Sequence, residues 1–233
     1  MKKFIHRDDV GDFECPEIKI IDGKRFYVTP DGNSYPSITT ILSLQEKPGI
    51  DKWKLQVGEK EAKRISKESM RIGTAVHQMA EFYLSNYIIK LKNEDKKIVD
   101  TFNRLRFLLG NIYNIVGLEV PLCSDLLRVA GTADCIAEYN GVPSIIDFKT
   151  SRKPKKEEWI DDYYMQTFAY KLMFEEMTGL EIKQIVILVA CIDQFDVQVF
   201  KKPASDADKY LNMLVDIMKA NPILTGATHQ PII

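Results

Sequence analysis

Apolar positions change their spacing twice along the chain. From residue 51 to about residue 90, Ala62, Ile65, Ser69, Ile72, Val76, Met79 and Tyr83 recur at steps of three and four, which predicts one long amphipathic helix. A second helix is expected from about residue 93 to Leu109, stopped by Gly110-Asn111. Upstream, residues 17–35 form two short β-like runs with Asp-Gly turns at Asp22-Gly23 and Asp31-Gly32, read as a small hairpin. Pro36 and Ser37 then open a short helix, which Pro48-Gly49 breaks.

Beyond Asn111 the period shortens to that of strands. "NIVGLEVPL", "LLRVAGTADCIAEY" and "VPSIIDFKT" are rich in branched and aromatic residues and divided by turn formers. A helix follows from about Glu157 to Met177, then the strands "KQIVILVACI" and "DVQVFKK", then a last helix fading near Asn221-Pro222. Helices first, then β-β-β-α-β-β-α, predict an α/β fold with a central mixed sheet flanked by helices and a helical N-terminal part. The expected segments are 1–110 (hairpin and helices), 111–220 (the sheet core) and 221–233 (a loosely held tail), within one compact unit.

The sharpest local signal is Asn140-Gly141 between two strand-like runs, the pattern of a two-residue hairpin turn. Tyr139 then pairs with Val142, and the register carries Asp134 opposite Asp147 and Thr132 opposite Lys149. One face of this hairpin, Ala133, Cys135, Ala137, Tyr139, Ile146 and Phe148, is apolar and expected in the core. The other bears two aspartates and a lysine. Like charges directly opposite each other are destabilising, so the pair makes sense around a divalent cation or with one carboxyl protonated. An ordinary ion pair on a solvated face would account for Asp147 and Lys149 alone; the opposed Asp134 favours the metal reading. Oxygen ligands suit a hard ion, Mg²⁺ or Mn²⁺.

Composition narrows the function. With 45% hydrophobic and 28% charged residues the chain can bury a core. Its net charge of −1 makes it no uniformly basic nucleic-acid binder, so polyanion contacts must be local. Two basic clusters stand out: Arg152, Lys153, Lys155 and Lys156 just after the charged strand, and residues 52–71. Four scattered cysteines (15, 123, 135 and 191) form no CxxC, which speaks against a zinc knuckle or an iron–sulfur cluster. No apolar run approaches a membrane span, and the N-terminus carries neither a signal peptide nor a clear transit peptide. The expectation is a cytoplasmic protein, bacterial or phage-encoded.

The motifs themselves resemble a known family. "GTADCIAEYNGVPSIIDFKTS", followed by "YYMQTFAYKLMF" and preceded by "RIGTAVHQMAEFYL", "YPSITTIL" and "DKWK", is similar to the PD-(D/E)XK nuclease superfamily. The branch it resembles is the RecB-like exonucleases, in particular the mitochondrial genome maintenance exonuclease family. The resemblance covers roughly residues 35–200 and implies a restriction-endonuclease-like core. It implies Asp134, Asp147 and the main-chain carbonyl of Phe148 as metal ligands, with His77 completing the shell. Lys149 would orient the attacking water and offset the developing charge. Gln166 would lie beside that lysine or the scissile phosphate, with Tyr170 in support. Thr150 and Ser151 offer hydroxyls that bind a phosphate or cap the turn, Lys153 a phosphate contact, and Glu119 is a further acidic candidate. Glu81, one turn after His77, is expected to orient the imidazole. The implied activity is a Mg²⁺- or Mn²⁺-dependent DNA exonuclease acting on single-stranded ends, in repair, recombination, replication or phage DNA metabolism. The alternatives are a flap endonuclease on the same site and a non-catalytic DNA-binding homologue.

Overall fold

The computed structural model describes residues 3–7, 16–21, 23–89, 91 and 94–221. The tail expected to be loosely held lies outside these residues, apart from Asn221, as do Asp22 and Cys15. The N-terminal hairpin gains a third strand. β1 (Glu17–Ile21), β2 (Lys24–Val28) and β3 (Ser34–Pro36) form one antiparallel sheet in that order. The second turn supplies the extra strand because Gly32, at φ 88°, reverses the chain, and its N–H donates to the Thr29 carbonyl at 2.9 Å.

Helix α1 (Ile38–Leu42) starts at Ser37, whose hydroxyl accepts the Thr40 N–H at 3.1 Å. Pro48 does not merely end a helix; it opens the next one, α2 (Pro48–Val57), where its missing N–H costs nothing. The single helix expected from residue 51 to 90 is two helices. Gly58, at φ 83° and ψ 148°, separates α2 from α3 (Glu59–Leu84), a backbone conformation that glycine adopts freely and other residues do not. Helix α4 spans Lys96–Leu109, with the Asp95 carboxylate accepting the Lys97 N–H at its start.

The main sheet contains β4 (Ile112–Ser124), β5 (Val129–Tyr139), β6 (Val142–Ser151), β7 (Gln184–Cys191) and β8 (Val197–Pro203), in that spatial order. All neighbours are antiparallel except β6 and β7, which run parallel across helix α5 (Asp161–Thr178). Helix α6 (Ala207–Ala220) closes the described chain. The sheet is mixed, as expected.

Alternation along β6 and β7 sends residues to two cores. Ile145, Ile185, Ile187 and Val189 pack with α1, α5 and α6 through Ile41, Phe168, Met173 and Leu214. Ile146, Phe148, Val186 and Leu188 pack on the other face with Ile72 and Val76 of α3 and Phe102 and Leu105 of α4. Each such side chain contributes on the order of 1.5–3 kcal/mol on burial. The helices before residue 110 thus share a core with the sheet after it. Among the described residues no helix is long and apolar enough to cross a membrane.

Candidate active site

The Asn140-Gly141 turn has φ of 52° and 79° at its two residues, the two positive values of a type I′ turn. The register follows as read from the sequence, from Tyr139↔Val142 to Cys135↔Ile146. There the regular ladder ends. Continued, it would give the Phe148 N–H to the backbone of Ala133. Instead that N–H donates to the Asp134 carboxylate at 2.7 Å. From this point β5 is held by β4 (Val120↔Ala133, Pro121↔Thr132) and β6 by β7 (Asp147↔Ile187, Lys149↔Val189). A gap opens between them.

The divergence corrects three expectations, the first being the direct pairing of Asp134 with Asp147, since the ladder stops one residue short of it at Cys135↔Ile146. Thr132 does not pair with Lys149; its hydroxyl meets the Tyr27 hydroxyl at 3.0 Å. Ala133 does not share a core with Cys135, Ala137 and Tyr139 but joins the opposite cluster. The alternation changes phase beside Asp134, where the neighbouring strand carries Glu119 at φ 49°. A left-handed residue within a strand breaks the two-residue period.

That kink has a consequence for Glu119, whose facing the sequence left open. It brings Glu119 to the gap, where ligand atoms of His77, Glu119 and Asp134 all lie within 4.8 Å of one another. His77 projects from α3, its Nδ1 3.6 Å from Asp134 Oδ2, and its ring edge packs on Phe148. Glu81, expected to orient the imidazole, lines the cleft wall instead, and Nδ1 faces Asp134. Burial opposes charge on His77, yet the Asp134 carboxylate outweighs it and holds the imidazole above its ordinary pKa. Burial likewise opposes charge on Asp134, but His77, Lys149 and the Phe148 N–H hold it below the usual carboxylate value. Glu119 is pushed up to about 7, by burial and then by the Asp134 charge.

Asp147 stands outside this trio. Its side chain is 1% exposed and ion-paired with Lys149, and neither carboxylate oxygen has a further hydrogen-bond partner. Burial, reinforced by Asp134 and only partly offset by Lys149, raises its pKa to about 6. Burial opposes charge on Lys149, but Asp147 and Asp134 keep its pKa above the ordinary lysine value. The Lys149 ammonium also sits over the Tyr163 ring, 5.3 Å from its centroid. Tyr163, to which the sequence assigned no role, thus stands beside the candidate site. Its position one turn before Gln166 on α5 was the available signal.

Gln166 Nε2 donates to the Tyr170 hydroxyl at 2.9 Å, and both line the cleft. Tyr170 explains Gly131 of the "GTAD" strand: a Cβ there would lie 2.5 Å from Tyr170 Cε1. Gly73 has a similar role on α3, since its Cβ would meet Thr150 Oγ1 at 3.1 Å. The Ser151 hydroxyl donates to the Lys153 carbonyl at 2.7 Å, and so caps the turn. The Lys153 side chain is exposed beyond it. Arg152 of the same cluster is already engaged, with Asp193 at 2.7 Å and Glu68 at 3.4 Å.

The cleft encloses about 630 Å³. The N-terminal sheet and the start of α1 roof it with Arg25, Tyr27, Ser37 and Thr39, none of them among the expected site residues. The Tyr27–Thr132 hydrogen bond ties this roof to β5 across 105 positions of sequence.

A sequence profile of the PD-(D/E)XK nuclease superfamily matches residues 87–226. The chain is 30% identical to the "Mitochondrial genome maintenance exonuclease 1" of Mus musculus over 131 residues, 53% of this chain and 39% of that protein. It is 29% identical to the Homo sapiens protein of that name over 133 residues, covering 53% and 38%. Against the Xenopus tropicalis protein identity is 26% over 176 residues, covering 72% and 48%. The chain thus spans about half, or less, of the length of these relatives. With a family profile matched across most of the sheet and a mixed-sheet core that carries its acidic strands, the chain belongs to the PD-(D/E)XK nuclease superfamily.

Proposed function

We propose that this nuclease is a divalent-metal-dependent DNA exonuclease that hydrolyses phosphodiester bonds from single-stranded ends. The observation that carries the reading is the convergence of His77, Glu119 and Asp134 beside the buried Asp147–Lys149 pair. The residues fit a hard cation. The donor set is carboxylate-rich with one imidazole and no thiolate, which suits Mg²⁺ or Mn²⁺. Asp147 is a buried carboxylate whose one polar side-chain partner among the described residues is the Lys149 ammonium, which leaves an oxygen for a cation. His77, Glu119 and Asp134 would hold the ion, with Asp147 and the Phe148 carbonyl as further candidate ligands.

A bound divalent ion supplies charge neutralisation at the phosphoryl oxygens and lowers the pKa of a coordinated water. The chain's own groups do the rest. Lys149, fixed by Asp147 and Tyr163, presents an ammonium to orient the attacking water and offset the charge of the transition state. Gln166, held by Tyr170 and lining the cleft, would contact the phosphate, and the Thr150 hydroxyl beside Gly73 is a further candidate. Lys153, exposed past the turn, would contact the backbone further along the strand.

Two observations support a single-stranded end as substrate. The cleft volume of about 630 Å³ is that of a small-molecule pocket, room for a nucleotide or two of a strand end. Its roof is a three-stranded sheet tied down at Tyr27, which favours entry by a free end. Relatives named as exonucleases support action at an end. The test is degradation of end-labelled linear and covalently closed circular DNA, single-stranded and duplex, with Mg²⁺, Mn²⁺ or EDTA. Linear single strands should be degraded with metal only. Cleavage of closed circles would overturn the exonuclease reading, and full activity in EDTA the metal.

A further inference from the structure

Helix α3 carries two kinds of basic residue. Arg64 and Arg71 are neutralised within the protein, Arg64 by Glu61 at 2.7 Å and Arg71 by Asp95 at 2.5 Å. Lys60, Lys63 and Lys67 are exposed and form no ion pair with any described residue. At about 100° per residue, these three lysines fall on the same side of the helix as Thr74, His77, Gln78 and Glu81, through which α3 lines the cleft. Glu61, Arg64 and Glu68 fall further round. Glu61, Arg64 and Glu68 thus make a paired row turned from the cleft, beside a free lysine row leading out of it, with Arg71 at the border and held by Asp95.

Folding gives no reason for the free row. Between Glu59 and Arg71 only Ala62 is buried, so this part of α3 stands off the core. Like charges three and four residues apart on a helix destabilise it, and Lys60, Lys63 and Lys67 have that spacing. Met70, 68% exposed, lies on the same line between Lys67 and Thr74 and offers apolar surface to a base.

We propose that Lys60, Lys63 and Lys67 form a phosphate track that carries single-stranded DNA along α3 beyond the cleft. The proposal rests on the nuclease reading above and adds the path of the strand. At 1.5 Å per residue, Lys67 lies about 15 Å and Lys60 about 26 Å from His77 along the axis. The bound strand therefore extends several nucleotides past the site on this side.

The experiment measures binding of a single-stranded oligonucleotide by fluorescence anisotropy in EDTA, across a salt series, for wild type, the triple variant K60Q/K63Q/K67Q and the double variant R64Q/R71Q. Each phosphate contact contributes about 0.7 to the slope of log K against log salt for single strands. The triple variant should lose about 2 from that slope. Between about 50 and 200 mM salt, wild type should then lose about 20-fold more affinity than the variant. The gap should widen as the oligonucleotide is lengthened. An unchanged slope overturns the track, and so does an equal drop in R64Q/R71Q, whose charges are already neutralised. If wild type degrades no DNA under any metal, the nuclease reading fails instead, a result distinct from either.

Discussion

The two ends of one hairpin behave differently. At the turn end, Cys135–Tyr139 and Val142–Ile146 form an unbroken ladder set by two residues, Asn140 and Gly141. At the other end the same strands part, β5 to β4 and β6 to β7. A carboxylate takes the N–H that the ladder would have used. The turn end fixes where Asp134 and Asp147 stand in the chain's register. The site end creates room only because the ladder stops. A hairpin regular throughout would hold its strands one spacing apart, with no space for an ion, a water and a phosphate.

The largest expected effect separates the ends by activity. Lys149 has one carboxylate partner and one aromatic neighbour, and it lies past the point where the ladder stops. Lys149→Met keeps the length of the side chain and removes the charge. Its kcat on a linear single strand with Mg²⁺ should fall by about 10²- to 10³-fold, the usual cost of one electrostatic donor. A rate within a few-fold of wild type at saturating substrate would remove Lys149 from the reaction.

Next in size is the packing that holds the site end open. Gly131→Ala would drive a methyl group to 2.5 Å from Tyr170 Cε1. Overpacking of this kind costs about 1–3 kcal/mol, read as a lower midpoint in urea, and it should also lower activity by shifting Tyr170 and with it Gln166. A variant as stable and active as wild type would show that Tyr170 yields without cost.

What the sequence made legible follows the same division. The Asn-Gly turn is a local signal, and a two-residue turn dictates register, so the ladder could be counted out residue by residue. The parting of the strands could not, because it depends on the neighbouring strands. Glu119 illustrates this: its place at the site follows from a left-handed backbone at φ 49° inside β4 and a register shift between Tyr113 and Gly117. Gly58 is similar. A lone glycine in a helical pattern reads as tolerated, and only its φ of 83° reveals a break. The roof was illegible because Tyr27 and Thr132 meet across a long loop of chain. Tyr163 had a visible position, but an aromatic on a buried helix reads first as core.

At the ladder end, Ile146 is fully buried against α3 and α4. Ile146→Val removes one methyl and should cost about 0.5–1.5 kcal/mol of stability. Cleavage rate per folded molecule should stay at the wild-type level at low temperature. A matching loss of rate would mean that the ladder transmits strain to the site, and that the two ends are not independent.

The smallest expected effect is one of pH, and it belongs to the site end alone. Glu119 is raised from 4.5 to about 7 and Asp147 from 3.8 to about 6, both mainly by burial, and His77 is raised by Asp134 against burial. All three bind their protons more tightly in the folded chain than in the unfolded one. Each therefore contributes stability below its unfolded value that is lost as pH rises through its folded value. Asp134, held below its ordinary value, is ionised throughout this window and adds no slope. In EDTA the protein should be less stable at pH 8 than at pH 5.5. Mg²⁺, which favours the deprotonated ligands, should flatten or reverse that trend. Because Glu119 is partly solvated, its own share is small, about 2–4 °C in melting temperature or less. Glu119→Gln should remove that share, so its melting curve in EDTA should depend less on pH than that of wild type. A melting temperature in EDTA that rises steadily from pH 5.5 to 8, or an identical pH slope in Glu119→Gln, would mean that Glu119 is not held protonated beside Asp134, and that the gap between β5 and β6 is more open to water than its geometry indicates.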